Sequence, residues 1–284
     1  IRKEFNEKVH PSLYYYWLSN QSPIKIKHLK IFKKYNKNIF DDIFKRETTF
    51  SAGNKKVKLP KEITEDLAYL IGAFHGDGHI SKNLRNIDLA EEDLRYHKII
   101  KNLFNEIFNV NVVTTKKYIR KNIFYRSYIS SKVVSSFFRF YCPIEKKKGK
   151  LRVPSIIKKD KILLIAYLGG FFDTDGCLSN VEKGSKSLYF VFSQSDKKIV
   201  FEVYNCLKYL GLEINKPKSF KSQSAPYMGD KRLVQWRIYI GSKKTLKKFL
   251  SIIKFKHPQK KIRAEIMHKI LGPWSSSYDT PLTN

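Results

Sequence analysis

The 284-residue chain carries 56 lysine and arginine residues against 25 acidic ones, a formal net charge of +31. Its 42% of apolar residues can build ordinary hydrophobic cores in two compact units, and no apolar run approaches the roughly 20 residues of a membrane helix. The three cysteines form neither a CxxC pair nor an even set, which argues against a secreted disulfide scaffold and structural zinc. We therefore expect an intracellular protein in a reducing compartment, and because the first residue is Ile we expect a longer reading frame.

The positive charge is spread along the whole chain. Residues 1–60 carry a net charge of +9, residues 61–150 carry +7 and residues 151–284 carry +15. This distribution is typical of a protein that contacts a long polyanion, because each neutralised phosphate releases condensed counterions. The sequence therefore favours a nucleic-acid partner, with a solvated basic surface as the alternative.

Residues 1–58 stand outside the repeated part of the sequence. A short helix with Trp17 and Leu18 buried would resemble the second helix of a helix-turn-helix. The alternative is a small helical extension that packs on the first repeat, and Ser51–Lys58 is predicted to be a basic linker. The side chains that such a helix would present to a DNA groove are Ser12, Tyr15 and Tyr16.

Two segments of the chain resemble each other. Residues 67–78 read LAYLIGAFHGDG and residues 165–176 read IAYLGGFFDTDG, 98 residues apart, which is the size of a small domain. Each predicts an apolar helix that ends at an Asp followed by Gly. The same order of elements follows each helix: a pair of strands, an amphipathic helix and two more strands.

Apolar periodicity places these elements along the chain. Asp93 and Asp196 stand where helix N-caps are expected. The predicted elements of the first copy are strands within Ile80–Ala90, a helix from Asp93 to Phe108, and strands at Val110–Ile119 and Asn122–Ser130. Those of the second copy are strands within Cys177–Gln194, a helix from Asp196 to Leu210, and strands at Leu212–Phe220 and Arg232–Gly241.

The strands predict sheets with one apolar and one polar, basic face. Around Val234–Ile240, apolar residues alternate with Gln235, Arg237 and Tyr239. Such a face suits a DNA groove, where long polar side chains reach base edges, although a sheet that faces water would show the same pattern. The candidate DNA contacts are Lys82, Arg85, Lys116, Lys117, Arg126, Lys186, Lys218, Lys221, Gln235 and Arg237.

The two apolar helices carry the candidate chemistry. Gly72 and Gly170 each have a second small residue four positions away, and this spacing lets helix backbones approach closely. Packing through these faces would bring Asp77 and Asp175 together, where two carboxylates repel unless a cation lies between them. Hard oxygen ligands favour Mg²⁺, and metal-held acids support phosphodiester hydrolysis. One Asp-Gly alone would indicate only a capped turn, but two equivalent copies favour a site.

The motifs LIGAFHGDG (70–78) and LGGFFDTDG (168–176) resemble those of the LAGLIDADG homing endonucleases, in the single-chain form with two motif copies. The resemblance covers roughly residues 60–270. It implies an α+β fold of two pseudo-symmetric αββαββα units whose antiparallel sheets form a saddle on DNA, plus the small helical N-terminal extension. The implied boundaries are 1–58 for the extension, 59–157 and 158–272 for the two units, and 273–284 for a tail.

The resemblance also implies a metal site. Its acids match Asp77 and Asp175, and the carbonyls of Gly76 and Thr174 resemble auxiliary ligands. Mg²⁺ is the expected cofactor, with Mn²⁺ or Ca²⁺ able to replace it in binding. The first copy has His75 where the family usually has Asp; this position supports packing and capping, so the change is expected to spare the chemistry.

The resemblance implies that Gln194, Lys147 and Lys260 act near the reacting phosphates. Gln194 resembles a polar residue near the water network, and Glu91 stands at the corresponding place in the first copy, so the two strand cuts would be inequivalent. A basic residue late in each half is assigned to Lys147 and Lys260, where a lysine can stabilise developing negative charge. Phosphate positioning or simple solvation is the alternative for any lysine in these basic runs.

The expected function is therefore that of a monomeric, Mg²⁺-dependent homing endonuclease, or meganuclease. Such an enzyme cuts both strands of a long asymmetric DNA site and promotes movement of its own intron or intein. The alternatives are a maturase that holds structured intron RNA and a DNA-binding transcription regulator on the same scaffold. Retention of both acids argues against a purely binding role, and no membrane partner is expected.

Overall fold

A computed structural model describes residues 49–52, 55–119, 122–141, 151–221 and 234–272. The predicted N-terminal helix, Lys147 and the tail 273–284 lie outside these residues. The chain divides into two compact units, Ile1–Glu62 and Ile63–Asn284. Within the described ranges no helix is both long and apolar enough to cross a membrane.

The described residues of the first unit form an antiparallel strand pair, β1 (Thr49–Ala52) and β2 (Lys55–Lys58). The prediction of a linker at Ser51–Lys58 is therefore wrong, and the N-terminal extension is not helical throughout. Phe50 pairs with Val57 in the register, and aromatic and β-branched residues favour strands. The density of lysines obscured this alternation.

The second unit contains the two predicted repeats, and the αββαββα order is confirmed in both. The first consists of α1 (Glu65–Gly76), β3 (Gly78–Ile80), β4 (Asn86–Glu91), α2 (Leu94–Phe108), β5 (Val113–Ile119), β6 (Asn122–Ser130) and α3 (Lys132–Tyr141). A short helix, α4 (Ser155–Lys159), leads to the second repeat. This consists of α5 (Lys161–Asp175), β7 (Gly176–Leu178), β8 (Phe190–Gln194), α6 (Lys197–Tyr209), β9 (Lys218–Lys221), β10 (Val234–Ile240) and α7 (Lys243–Ile252), and α8 (Pro258–Leu271) follows.

Helix starts are set by side-chain caps. Asp93 accepts a hydrogen bond from Arg95 N at 2.8 Å and Asp196 accepts one from Lys198 N at 2.9 Å, which confirms both predicted caps. Asp160 caps α5 in the same way through Ile162 N at 2.8 Å. Each cap satisfies an otherwise unpaired N–H and contributes about 1 kcal/mol.

Each repeat folds its strands into a four-stranded antiparallel sheet, in the orders β3-β4-β6-β5 and β7-β8-β10-β9. The matching order expresses the pseudo-symmetry predicted from the repeat. In β10, Ile238 and Ile240 are buried opposite β8, whereas Arg237 and Tyr239 are exposed. Val234 belongs to the apolar face but is 52% exposed, because it pairs with the edge strand β9 beyond the end of β8.

The core of the second unit is the contact between α1 and α5. Both helices are apolar on nearly every side, which is typical of helices buried all round. A Cβ added at Gly72 would lie 1.9 Å from Tyr167 O, and one added at Gly170 would lie 2.0 Å from Tyr69 O. The two contacts are reciprocal, because Gly72 and Gly170, like the two tyrosines, occupy equivalent motif positions. The predicted close approach of the helices is confirmed.

We expect Gly170→Ala to lower the free energy of unfolding by an amount at the upper end of the roughly 1–3 kcal/mol that overpacking costs. The added methyl would meet the Tyr69 carbonyl and the Ala73 nitrogen, both backbone atoms that cannot rotate away. Urea-induced unfolding measures the change. Lys198→Ala, at an exposed position of α6, is the control and should change stability by less than about 0.5 kcal/mol; equal stability of the two variants would contradict the packing argument.

Candidate active site at the end of the paired helices

The two motif aspartates lie at the same end of the helix pair. Asp77 is the C-cap of α1, with its N–H bonded to Ala73 O at 3.2 Å, and Asp175 is the last residue of α5. Both are half-buried. A Cβ at Gly76 would lie 2.0 Å from Thr174 Oγ1 and 2.7 Å from Asp175 Oδ2. The carboxylate of Asp175 therefore packs directly over the last turn of α1, in space that only a glycine leaves open.

The strand that follows each motif ends in a polar side chain on the helix-facing side of the sheet. Gln194, at the end of β8, donates from Nε2 to Asp175 Oδ2 at 2.5 Å. Glu91 ends β4 at the equivalent position, since each stands two residues before an N-cap aspartate. The structure thus brings Gln194 to the motif acid of its own repeat, and the other half has a carboxylate at the equivalent position instead of a donor.

Glu91 faces the beginning of α8. Its Oε1 accepts from Glu92 N at 2.8 Å and lies 3.9 Å from His257 Nε2. Burial by itself raises the pKa of Glu91, but the interaction with His257, the bond from Glu92 and the charge of Lys260 hold that pKa below its ordinary value. Glu91 is therefore ionised at neutral pH. It adds negative charge to the part of the site that the first repeat supplies with Asp77 and Glu91, called here the first pocket; Asp175 and Gln194 supply the second.

Lys260 lies in the first turn of α8, and its side chain is half-buried. Its Nζ donates to three carbonyls at the end of α5: Phe172 O at 2.9 Å, Asp173 O at 2.6 Å and Thr174 O at 3.4 Å. Burial lowers the pKa of this lysine, and the surrounding carboxylates oppose that effect. They are Asp173, Glu91, Asp175 and Asp77. The predicted lysine is thus among the acids, but it also caps the C-terminal end of a helix, where a cation is favoured by the helix dipole.

Two buried hydrogen bonds cross between the motif helices. The Tyr69 hydroxyl donates to Asp173 Oδ2 at 2.7 Å, and the Tyr167 hydroxyl is bonded to His75 Nδ1 at 2.7 Å. The four residues form two equivalent pairs, with His75 in place of an Asp in one of them. Burial lowers the pKa of His75 to about 3, and its Nε2 has no hydrogen-bond partner among the described residues. His75 is therefore neutral and lies in the helix interface, the packing position that the sequence predicted.

The two halves also differ in the acid that binds the backbone before the next helix. Asp173 accepts from Lys256 N at 2.7 Å and His257 N at 3.0 Å, which secures the start of α8; burial raises its pKa, and these bonds oppose the rise. In the first half the equivalent backbone N–H is that of Val153, just before α4. It donates at 2.8 Å to Glu202, which lies on α6 of the second repeat. The sequence analysis missed Glu202. The available signal was the similarity of LRVP at 151–154 to FKHP at 255–258.

The donor set at the helix ends fits a hard divalent cation. It consists of the carboxylates of Asp77 and Asp175 with the carbonyls of Gly76 and Thr174, all oxygen ligands. In the part of the chain that the structure describes, no three His, Cys, Asp or Glu side chains group as a metal site. An ion here would therefore rely on two carboxylates, backbone oxygens and water, a coordination typical of Mg²⁺.

The candidate DNA-contacting residues lie on or beside the two sheets, and most are exposed. Strand alternation separates neighbours among them: Lys116 and Lys117 point to opposite faces of β5, and Lys218 and Lys221 to opposite faces of β9. The register places Lys117 on the same face as Arg126 and Lys218 on the same face as Arg237. The exposed candidates are Lys82, Arg85, Lys116, Lys117, Lys186, Lys218, Lys221 and Arg237, and the half-buried ones are Arg126 and Gln235. Their contact with DNA stays a prediction.

The LAGLIDADG-like domain family matches residues 64–140 and 163–254 of this chain. Among curated proteins of Methanocaldococcus jannaschii, a glutamine–fructose-6-phosphate aminotransferase is 34% identical over 125 residues, which is 42% of this chain and 11% of that protein. A replication factor C small subunit is 28% identical over 205 residues, which is 69% of this chain and 11% of that protein. The chain thus spans about a tenth of the length of these two relatives.

Several solved structures are similar in fold. Full-length DUF199/WhiA from Thermatoga maritima has a TM-score of 0.48 at 13% identity, over 75% of this chain and 62% of that one. The homing endonuclease I-WcaI bound to its DNA recognition sequence has a TM-score of 0.45 at 18% identity, over 77% and 88%. I-DmoI in complex with DNA and Ca has a TM-score of 0.45 at 16% identity, over 72% and 97%.

We expect Tyr69→Phe to lower the free energy of unfolding by about 1–3 kcal/mol, because it leaves a buried oxygen of Asp173 with one donor fewer. The change removes one hydroxyl from the buried bond to Asp173 and leaves the ring in place. Tyr209→Phe is the matched control, because Tyr209 is 55% exposed. If urea unfolding gave the same midpoint for both variants, the buried bond would have no net value.

Proposed function

The chain belongs to the LAGLIDADG-like domain family, and from this membership we propose that it is a site-specific DNA endonuclease. It hydrolyses one phosphodiester in each strand of a long asymmetric duplex with the help of a divalent cation. The observation that carries the proposal is the backbone contact at Gly72 and Gly170, which sets two retained aspartates at one end of the helix pair.

Asp77 and Asp175 would hold the cation together with the carbonyl oxygens of Gly76 and Thr174. When bound, a divalent ion supplies Lewis-acid chemistry, polarising the phosphodiester and stabilising charge on the leaving oxygen. Mg²⁺ is the proposed ion. Gln194 orients the Asp175 carboxylate through its 2.5 Å hydrogen bond, so this ligand is held in place before substrate arrives.

Lys260 offsets the repulsion among the acids at the helix ends. Its ammonium is bonded to the last carbonyls of α5 and feels the charges of Asp77, Asp175 and Glu91. In that position it also stabilises negative charge that develops on a phosphate drawn into the site. The same role for Lys147 in the first half stays a prediction.

The outer faces of the two sheets form the proposed DNA surface. They carry exposed basic and polar side chains, and the net charge of +31 favours a phosphate backbone. Two repeats in one chain present two related but unequal surfaces, which suits a monomer on an asymmetric site. Promotion of its own movement is proposed as well, because similar segments make up 11% of two proteins whose names describe unrelated activities.

We expect Asp77→Asn and Asp175→Asn each to abolish double-strand cutting while DNA affinity stays within a few-fold of the parent, since only a metal ligand is lost. The substrate is a duplex recovered by cleaving a randomised library with Mg²⁺, with EDTA as the metal-free control. Glu106→Gln, an exposed acid on α2, is the matched control and should cut normally. Full cutting by either aspartate variant would contradict the assignment of these residues as metal ligands. Tight binding of uncut DNA by the parent would favour the regulator or maturase.

We expect the two strands to be cut at different rates, because Gln194 donates to Asp175 whereas Glu91 places a further carboxylate in the first pocket. A duplex labelled separately on each strand should show a nicked intermediate. Gln194→Glu removes a charge-assisted hydrogen bond and should slow one strand by about tenfold or more. Glu91→Gln should bring the two rates closer together.

Glu92→Gln is the control for these two variants, because Glu92 is exposed and adjacent to Glu91. It should leave the ratio of the two strand rates unchanged. Equal rates in the parent, unaltered by either pocket variant, would show that the two pockets are equivalent.

A further inference from the structure

The two repeats place an arginine at equivalent positions on the outer faces of their sheets. Arg126 of β6 pairs with Ala90 of β4, and Arg237 of β10 pairs with Ser193 of β8. Ala90 and Ser193 each stand three residues before the N-cap of the following helix. The backbone therefore treats the two arginines alike, and any difference between them comes from their neighbours.

Arg126 is held by an acid of its own sheet. Its Nε donates to Asp88 Oδ1 at 3.0 Å and its Nη2 to Asp88 Oδ2 at 2.7 Å, and this bidentate bond raises the pKa of the guanidinium. Asp88 is buried and is also bonded to His79 Nδ1 at 3.1 Å. The Nε edge of the guanidinium is therefore bound to the acid, while Nη1 and the second N–H of Nη2 bond to no other described residue.

Arg237 is held by an aromatic ring and a hydroxyl instead of an acid. Its Cζ lies 3.8 Å from the centroid of the Phe220 ring, and its Nε donates to Ser193 Oγ at 3.3 Å. Among the described residues neither of its terminal nitrogens donates a hydrogen bond, and the side chain is exposed. Stacking fixes the plane of the guanidinium while both ends of the fork face outwards.

The difference traces to one position. The residue equivalent to Asp88 is Val191, which pairs with Tyr239 as Asp88 pairs with Tyr128. A valine cannot accept a hydrogen bond, so the charge of Arg237 is not neutralised by an acid at this position.

We propose that Arg237 reads a guanine in the half-site contacted by the second sheet. The inference rests on the proposed DNA-binding function. In the major groove, guanine presents two adjacent acceptors, N7 and O6, which match the two donors of an arginine fork, whereas adenine presents an acceptor beside a donor. A preorganised fork avoids the entropy of ordering a long side chain.

The test is a binding selection with the full chain, using a randomised duplex library and Ca²⁺ in place of Mg²⁺, followed by sequencing of the bound DNA. The parent should select guanine at one position of one half-site. Arg237→Lys should reduce the preference for guanine there by about 5- to 150-fold, the range for losing a bidentate contact.

Arg126→Lys is the matched control, because Arg126 lies at the equivalent position of the other sheet, and it should leave the guanine preference of the second half-site unchanged. Unchanged base preference in Arg237→Lys, or a uniform loss of affinity that marks a phosphate contact, overturns the inference and leaves the proposed function standing. A parent that selects no sequence overturns both.

Discussion

The contact on which the rest of the structure depends is the backbone-to-backbone approach of α1 and α5. At Gly72 and Gly170 each helix lies against a tyrosine carbonyl of the other, with no room for a side chain. This reciprocal contact relates the two repeats by a pseudo-twofold axis, since equivalent residues meet equivalent residues. It also aligns the helix ends, so the aspartates that follow the last turns reach one place. The helix pair is buried, and the proposed site lies at its end.

Around this symmetric backbone the polar side chains have diverged. Position 75 holds a neutral histidine where its counterpart is an aspartate, and Glu91 stands opposite Gln194. The backbone requires only glycine and apolar residues at the interface, so polar positions can change if their hydrogen bonds are replaced. Glu202 illustrates such a replacement, because it binds a backbone N–H in the first half as Asp173 does in the second.

The net charge of the chain is opposite in sign to the charge of the acids at the helix ends. The chain as a whole is strongly basic, which suits a polyanion, yet several carboxylates converge at the helix ends. The half-buried Lys260 offsets this convergence, because its charge lies among the carboxylates and its ammonium donates to the carbonyls of α5. The same arrangement leaves an oxygen-rich site beside a basic surface, the combination that the proposed phosphodiester hydrolysis needs.

Local patterns determined most of the architecture. The repeat at a spacing of 98 residues, the apolar periodicity and the caps Asp93 and Asp196 were sufficient for the αββαββα order and for the close packing of the two motif helices, because each signal lies within one element or its repeated counterpart. Tertiary structure alone decided that Lys260 binds the end of α5 and that Asp88 forms a bidentate hydrogen bond with Arg126. It also decided that Glu202 secures the first half. These contacts join residues about 40 to 90 positions apart, and their partners are set by strand register and helix packing, which no local pattern encodes.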